Sequence, residues 1–204
     1  AAQASQAFQE TCLTLTEGQY LDMSFEGRFG VSEEDYLWMI HDKTAALLST
    51  CTRLGALLAG APAETVTAYR EFGAAVGMAF QVDDDILGIW GDPGRTGKPV
   101  GSDILQRKQS LPLVYAVDKL RKAGEEATLA RLQQTYAAPA VGEADVAAVT
   151  ALLPRVLAIS ARVVPLMVVW RVVLHRGVEY HDHHGRRYLA VHHQRGRYRE
   201  QPAV

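Results

Sequence analysis

An all-α fold is predicted by three observations on the 204-residue sequence. Apolar residues recur at spacings of three and four through successive segments, which is the period of a helix. Gly and Pro punctuate the joints between these segments, at Gly27 and Gly30, at Gly60 and Pro62, and from Gly91 to Gly101. No stretch shows the period-two alternation of a half-buried strand. Apolar content of 48% is ample for a core and argues against disorder.

Residues 3–25 form the first expected helix, with Phe8, Cys12, Leu15, Gln19 and Asp22 as one stripe. Gln19 and Asp22 lie one turn apart near its end, either as solvated polar groups or as part of a site. Ser32-Glu33-Glu34-Asp35 resembles a capping box with Asp in place of Glu or Gln. It starts a helix expected to run to about Ala59. Inside that helix Tyr36, Met39, Lys43, Leu47 and Thr50 share a stripe, so Lys43 interrupts a largely apolar face with Thr44 beside it. From the residues alone Lys43 either snorkels to water or faces a site.

The third helix, about Ala63 to Trp90, is the central one. Val66, Tyr69, Phe72, Val76, Phe80 and Leu87 supply apolar faces, so the helix is expected to be mostly enclosed. Within it stand three consecutive carboxylates, Asp83, Asp84 and Asp85. At 100° per residue Gln81, Asp84, Asp85 and Gly88 fall along one edge, and Asp83 points nearly the opposite way. The run is therefore two plus one. Two carboxylates side by side in an apolar setting each resist ionising. A divalent cation resolves the conflict, and oxygen ligands favour Mg²⁺; the alternative is an acidic helix end facing water. The stretch from Gly91 to Gln109 reads as a glycine-loosened loop that delivers Arg95, Lys98, Arg107 and Lys108 beside the acids. Carboxylates for a metal, with cations and freed backbone next to them, suit a Mg²⁺-chelated diphosphate. Gly97-Lys98 is not a nucleotide-binding P-loop, because the upstream glycine spacing is wrong and no strand precedes it. Helices resume at about Ser110–Ala123, Glu125–Tyr136 and Gly142–Leu153.

These motifs together resemble the trans-polyprenyl diphosphate synthases. The pattern Phe80-Gln81-x-x-Asp84-Asp85-x-x-Gly88, then Gly97-Lys98, Ser102-Asp103-Ile104 and Lys108-x-Ser110-Leu111-Pro112, resembles that family's second aspartate-rich region. Gly18-Gln19-x-x-Asp22 and Lys43-Thr44 resemble its preceding helices in order and spacing. The resemblance covers residues 1–153 and implies the C-terminal half of an isoprenoid synthase-type helical bundle, with the N-terminal helices absent. It implies a Mg²⁺-dependent transferase that condenses an allylic diphosphate with isopentenyl diphosphate, and a homodimer. Asp84 with Asp85 would bind Mg²⁺. Lys43, Lys98 and Lys108 would neutralise the diphosphate, and Thr44 and Gln81 would add polar contacts near the reacting carbons. Lys43, Thr44, Gln81 and Lys98 are the expected catalytic set.

Two departures stand out. Gly88 replaces the third Asp of the family's second DDxxD. The first aspartate-rich motif and the basic residues for isopentenyl diphosphate are nowhere in the sequence, so the chain alone is expected to be inactive. A non-catalytic subunit of a heteromeric synthase is the alternative. A cyclase sharing the fold is disfavoured by Gly97-Lys98 and the Lys108 to Pro112 element.

Composition divides the chain at residue 154. Residues 1–153 carry 12 Lys and Arg against 20 Asp and Glu; residues 154–204 carry nine Arg, no Lys and three acids. Six of the seven His lie beyond residue 174. Arg without Lys, with abundant Val, His and Pro, resembles out-of-frame translation of GC-rich coding sequence, and a frameshift near residue 154 is the expectation. Arg162, Pro165 and Arg171 interrupt the apolar run from Val156 to Leu174, so no membrane span is expected. The histidines of 181–184 and 192–193 are a weak transition-metal signal, and the basic tail lacks a nucleic-acid motif. Cys12 and Cys51 have no metal spacing and are expected to be packed and reduced, which suits a cytoplasmic protein. The chain begins without Met or a signal peptide, as a fragment would.

Overall fold

The computed structural model describes residues 2–157, together with the backbone of 179–181 and 187–189. Among the described residues there are nine α-helices: α1 Ala2–Phe25, α2 Glu33–Ile40, α3 Ala46–Leu58, α4 Ala63–Trp90, α5 Pro93–Thr96, α6 Ser102–Leu105, α7 Leu111–Ala123, α8 Glu126–Ala137 and α9 Glu143–Leu157. The fold is all-α, as the periodicity predicts. A short antiparallel pair, β1 Glu179–His181 and β2 Arg187–Leu189, lies in the tail, where no strand is expected from the pattern. The remaining tail expectations, the frameshifted segment, the apolar run and the histidine clusters, fall outside the described residues. Among the described residues no helix is long and apolar enough to cross a membrane.

Ser32 caps α2: its hydroxyl accepts from the Asp35 amide at 3.0 Å and donates to the Asp35 carboxylate at 2.7 Å. The expected single helix to Ala59 is interrupted. His41–Ala45 form a π-turn between α2 and α3, so the stripe from Tyr36 through Lys43 to Thr50 is not continuous. One extra residue in the turn rotates everything after it, and Leu47 ends up exposed while Tyr36 and Met39 are buried.

One apolar cluster joins α1, α2, α4 and α7 through residues such as Phe25, Ile40, Val82 and Val114. A second joins the end of α4 to α6, α7, α8 and α9 through Ile89, Ile104, Leu120, Leu132 and Leu153. Trp90 packs against both. Each fully buried aliphatic side chain stabilises the fold by about 1.5–3 kcal/mol, and these clusters fix α4 against α2 and α7.

Three expectations about faces are corrected. The stripe Phe8, Cys12 and Gln19 lies on the outside of α1, and the buried residues there are Ala7, Thr11, Gly18 and Phe25. Small residues face inward because α1 approaches its neighbours closely: a Cβ at Gly18 would overlap the Lys43 backbone. The central helix is not mostly enclosed. Tyr69, Phe72, Val76, Phe80 and Leu87 form an exposed apolar row, Phe80 at 63%. Cys12 and Cys51 are free and exposed, not packed. Their helical spacing places them on the α1 and α3 faces that the described residues leave open.

Candidate functional site

The π-turn places Lys43. With one extra residue in the turn the helix is locally under-wound, Lys43 turns toward α1, and its Nζ donates to Asp22 Oδ2 at 2.5 Å. Both side chains are roughly three-quarters buried, so Lys43 does not snorkel to water. Asp42, the preceding residue, is buried and accepts from Trp38 Nε1 at 2.8 Å, with His41 Nδ1 2.8 Å from its other oxygen. Gln19 stays exposed on the outer face of α1, so of the expected Gln19–Asp22 couple only Asp22 joins the site.

On α4 the two expected carboxylates have opposite fates. Asp84 is half-exposed, with Lys98 Nζ at 4.0 Å from Oδ1. An exposed pair at that distance contributes little stability, which leaves the Asp84 oxygens open to a ligand. Asp85 is buried. Its Oδ2 accepts from the Tyr36 hydroxyl at 2.5 Å and from the Leu111 amide at 2.7 Å, and its Oδ1 accepts from Gln81 Nε2 at 3.1 Å. Burial pushes the Asp85 carboxyl up from 3.8 to about 6, against the pull of those three donors. The same burial raises the Tyr36 hydroxyl well above its ordinary value. Gln81 Oε1 accepts from the Thr44 hydroxyl at 2.7 Å. Asp83 is exposed on the far side, as its angle predicts.

Gly88 has a specific occupant over it. A side chain at this position would overlap the Asp103 carboxylate. Asp103 reaches there from α6 and is itself buried, with Lys108 Nζ at 3.7 Å. Burial raises the Asp103 carboxyl, Lys108 opposes the rise, and Asp84 adds to it by repulsion. An acid therefore still stands at the position where the family pattern has its third Asp, but it comes from the loop.

The stretch expected as a flexible loop is more ordered than its glycines suggest. Asp92 caps the one-turn α5, accepting from the Gly94 amide at 2.9 Å, and α6 follows. Arg107 adopts φ 55°, the sole positive-φ residue other than glycine among the described residues, and its guanidinium donates to the Ala138 carbonyl at 2.8 Å. It thus turns away from the acids. Arg95 is exposed on α5. Of the four expected loop cations, Lys98 and Lys108 stand beside acids.

A cavity of about 150 Å³ opens between these elements. It is lined by Asp22 of α1, Tyr36 and Lys43 around the π-turn, Gln81, Asp84 and Asp85 of α4, and Lys108, Gln109 and Ser110 ahead of α7. Gln109 and Ser110 are buried, and among the described residues neither the Gln109 amide nor the Ser110 hydroxyl has a hydrogen-bond partner. Buried polar groups take hydrogen-bond partners, and these two side chains stand where the cavity lets a polar group reach them. Lys98 and Thr44 stand outside the lining, touching it through Asp84 and Gln81.

The polyprenyl synthetase family profile matches residues 1–153. The chain belongs to the polyprenyl synthetase family. A geranylgeranyl diphosphate synthase of Mycobacterium tuberculosis is 46% identical over 154 residues, which are 75% of this chain and 43% of that one. A short chain isoprenyl diphosphate synthase of Methanothermobacter thermautotrophicus is 41% identical over 57% of this chain and 36% of its own length. The polyprenyl synthetase fold is also evident in three dimensions. The crystal structure of polyprenyl synthetase from Streptomyces coelicolor superposes with a TM-score of 0.70 at 35% identity, covering 83% of this chain and 50% of that one. A geranylgeranyl pyrophosphate synthase of Corynebacterium glutamicum, complexed with isoprenyl diphosphate and magnesium, superposes at 0.71 with 29% identity, over 82% of this chain and 47% of that one. The chain thus spans about half the length of the polyprenyl synthetases it matches.

Of the residues lining this cavity, Tyr36 and Gln109 are not singled out by the sequence as candidate site residues. Tyr36 reads as one more apolar position in a helix stripe, and only its hydroxyl, which needs a partner when buried, signals more. Asp103 and Ser110 are visible as motif letters, without the spatial roles they take over Gly88 and in the cavity.

Proposed function

We propose that this chain supplies the diphosphate-binding half of a Mg²⁺-dependent prenyl diphosphate synthase site, whose reaction condenses an allylic diphosphate with isopentenyl diphosphate. One observation carries the reading: a single cavity gathers Lys43, Lys108, Gln81 and Asp84 from segments some 65 residues apart in sequence, and two cations with an open carboxylate suit a metal-chelated polyanion. The relative complexed with isoprenyl diphosphate and magnesium supports it by similarity.

The donor set fits Mg²⁺. Among the described residues no three His, Cys, Asp or Glu side chains converge into a complete metal cage. Mg²⁺ needs none, since it is commonly held by one or two carboxylates with water and substrate phosphates. Asp84 is the open carboxylate, Asp85 its neighbour, and Asp103 the buried acid behind them. When bound, Mg²⁺ would neutralise charge on the departing diphosphate. The protein's own part is electrostatic. Lys43, Lys98 and Lys108 hold the diphosphate and stabilise its growing charge as the allylic C–O bond breaks. Gln81 and Thr44 present oxygen atoms near the carbon that becomes positive. The isopentenyl double bond attacks there, and a proton is lost.

The first aspartate-rich motif is not in the printed sequence, so the purified chain is expected to bind diphosphate without joining prenyl units. Calorimetric titration with Mg²⁺ and inorganic pyrophosphate tests the reading: binding should require Mg²⁺ and weaken at least about tenfold in Asp84→Ala, roughly 1.4 kcal/mol. Binding that Asp84→Ala leaves unchanged removes the site assignment.

A second reading, a non-catalytic subunit acting within a larger assembly, is favoured by the exposed apolar rows on α1 and α4. Phe8, Leu13, Tyr20 and Met23 on one helix, and Phe72 and Phe80 on the other, all face solvent. Contiguous apolar surface of this kind marks an interface. The homodimer expected from the family resemblance is one way to cover part of it.

A further inference from the structure

We infer that Asp85 is a positioning residue, one that sets the direction of the Gln81 amide and through it the Thr44 hydroxyl. The inference rests on the diphosphate-site reading for its catalytic consequence, and on geometry alone for the orientation itself.

Four side chains form one directed chain of hydrogen bonds. The Tyr36 hydroxyl donates to Asp85 Oδ2 at 2.5 Å, and the Leu111 amide, in the first turn of α7, donates to the same oxygen at 2.7 Å. Gln81 Nε2 donates to Asp85 Oδ1 at 3.1 Å, and the Thr44 hydroxyl donates to Gln81 Oε1 at 2.7 Å. An ionised carboxylate only accepts, so Asp85 compels Gln81 to turn its NH₂ end toward it. The carbonyl end of Gln81 is then forced toward Thr44, which must give its single proton to Gln81. Thr44 is left with lone pairs and Gln81 with an inward-fixed carbonyl. Both are oxygen-rich, donor-poor faces, of the polarity that stabilises positive charge on carbon. Three donors on two oxygens also satisfy Asp85 without a cation, whereas Asp84 next to it has only a 4.0 Å approach from Lys98. Two adjacent acids thus have different work: Asp84 faces the ligand, and Asp85 faces the protein.

Asp85→Asn tests this, with Asp84→Asn as a control that removes the same charge one residue away. An Asn at 85 brings a donor of its own to Gln81. The expected result, read by two-dimensional NMR of the ¹⁵N-labelled chain, is that the Gln81 side-chain amide protons lose their nuclear Overhauser contacts to residue 85 and gain contacts to the Thr44 methyl. In Asp84→Asn those contacts should stay as in the parent. In parallel, Mg²⁺-dependent pyrophosphate affinity should fall further in Asp84→Asn than in Asp85→Asn, by on the order of tenfold. Unchanged Gln81 contacts in Asp85→Asn, or an Asp85→Asn loss equal to that of Asp84→Asn, overturn the inference. If Asp85→Asn does not fold, Tyr36→Phe carries the test. It keeps the carboxylate but removes one donor, so the Gln81 amide resonances should shift while the amide protons keep their contacts to residue 85. Gln81 resonances that do not respond, or amide protons that leave residue 85, count against the inference. A parent chain with no Mg²⁺-dependent pyrophosphate binding defeats the diphosphate-site reading instead, and the NMR comparison still decides the role of Asp85.

Discussion

Asp85 lies against the base of α7, where the amide of Leu111 has no earlier turn to bond to. Its carboxylate supplies that partner and ties α2, α4 and α7 together at one atom pair. The residue's protonation follows from its burial. In the fold its carboxyl sits at about 6, above the 3.8 of an unburied group, so the folded chain holds the proton more tightly than the unfolded chain does. Asp85 therefore favours folding most below about pH 4, and that contribution is lost as pH rises through about 6. In metal-free urea titrations the stability of the parent relative to Asp85→Asn should decline between pH 4 and pH 7, by about 2–3 kcal/mol. Parallel pH profiles for the two proteins would show that burial does not set this group. Gly18 makes a second prediction at the same scale. Its missing side chain lets the α1 backbone meet the Lys43 backbone, and backbone cannot step aside as a side chain can. Gly18→Ala should destabilise by about 1–3 kcal/mol and weaken pyrophosphate binding as well, because the displaced residue is Lys43.

At the scale of the element, the π-turn from His41 to Ala45 matters most. A regular helix would place Lys43 on the stripe shared by Tyr36 and Met39, and the inserted residue turns it to Asp22 instead. The buried Asp42 carboxylate, bonded to Trp38 Nε1 and paired with His41, anchors that turn. Trp38→Phe keeps an aromatic ring and removes one donor from a buried acid, so it should cost about 1–3 kcal/mol, measurable as a lowered denaturant midpoint. Helix spacing explains why the sequence shows the elements but not this turn. Periodicity of three and four finds α1, α2–α3, α4 and α7 within a residue or two of their ends, because each buries a face. A single-residue insertion leaves the apolar letters in place and changes only their angles, and nothing in His41-Asp42-Lys43-Thr44 marks it. The same limit explains Asp84 and Asp85. Their shared edge on the helical wheel is correct, yet 100° is enough to put one against α2 and α7 and the other in water.

At the scale of the whole molecule, the all-α architecture is legible in the sequence because apolar residues recur at helical spacing. The acids and lysines of the candidate site are legible as letters whose grouping in one cavity only the fold supplies. Which faces lie inside is less legible. Phe72, Phe80 and Tyr69 read as core and are exposed, since apolar letters report that a surface is to be covered without saying by what. Surface of this extent should drive association. Light scattering across a concentration series is expected to show assembly of the parent chain, reduced in Phe72→Ser with Phe80→Ser; a monomer at all concentrations would leave the second functional reading without support. In the proposed function Lys43, Lys108 and Asp84 together form a metal-dependent diphosphate site. A crystal structure of the chain grown with Mg²⁺ and an unreactive allylic thiodiphosphate tests it most directly. The diphosphate should lie between Lys43 and Lys108, with a metal-sized peak at Asp84 and with Gln109 and Ser110 bonded to the ligand or its waters. Diphosphate bound elsewhere, or a cavity left empty at saturating ligand, would contradict it.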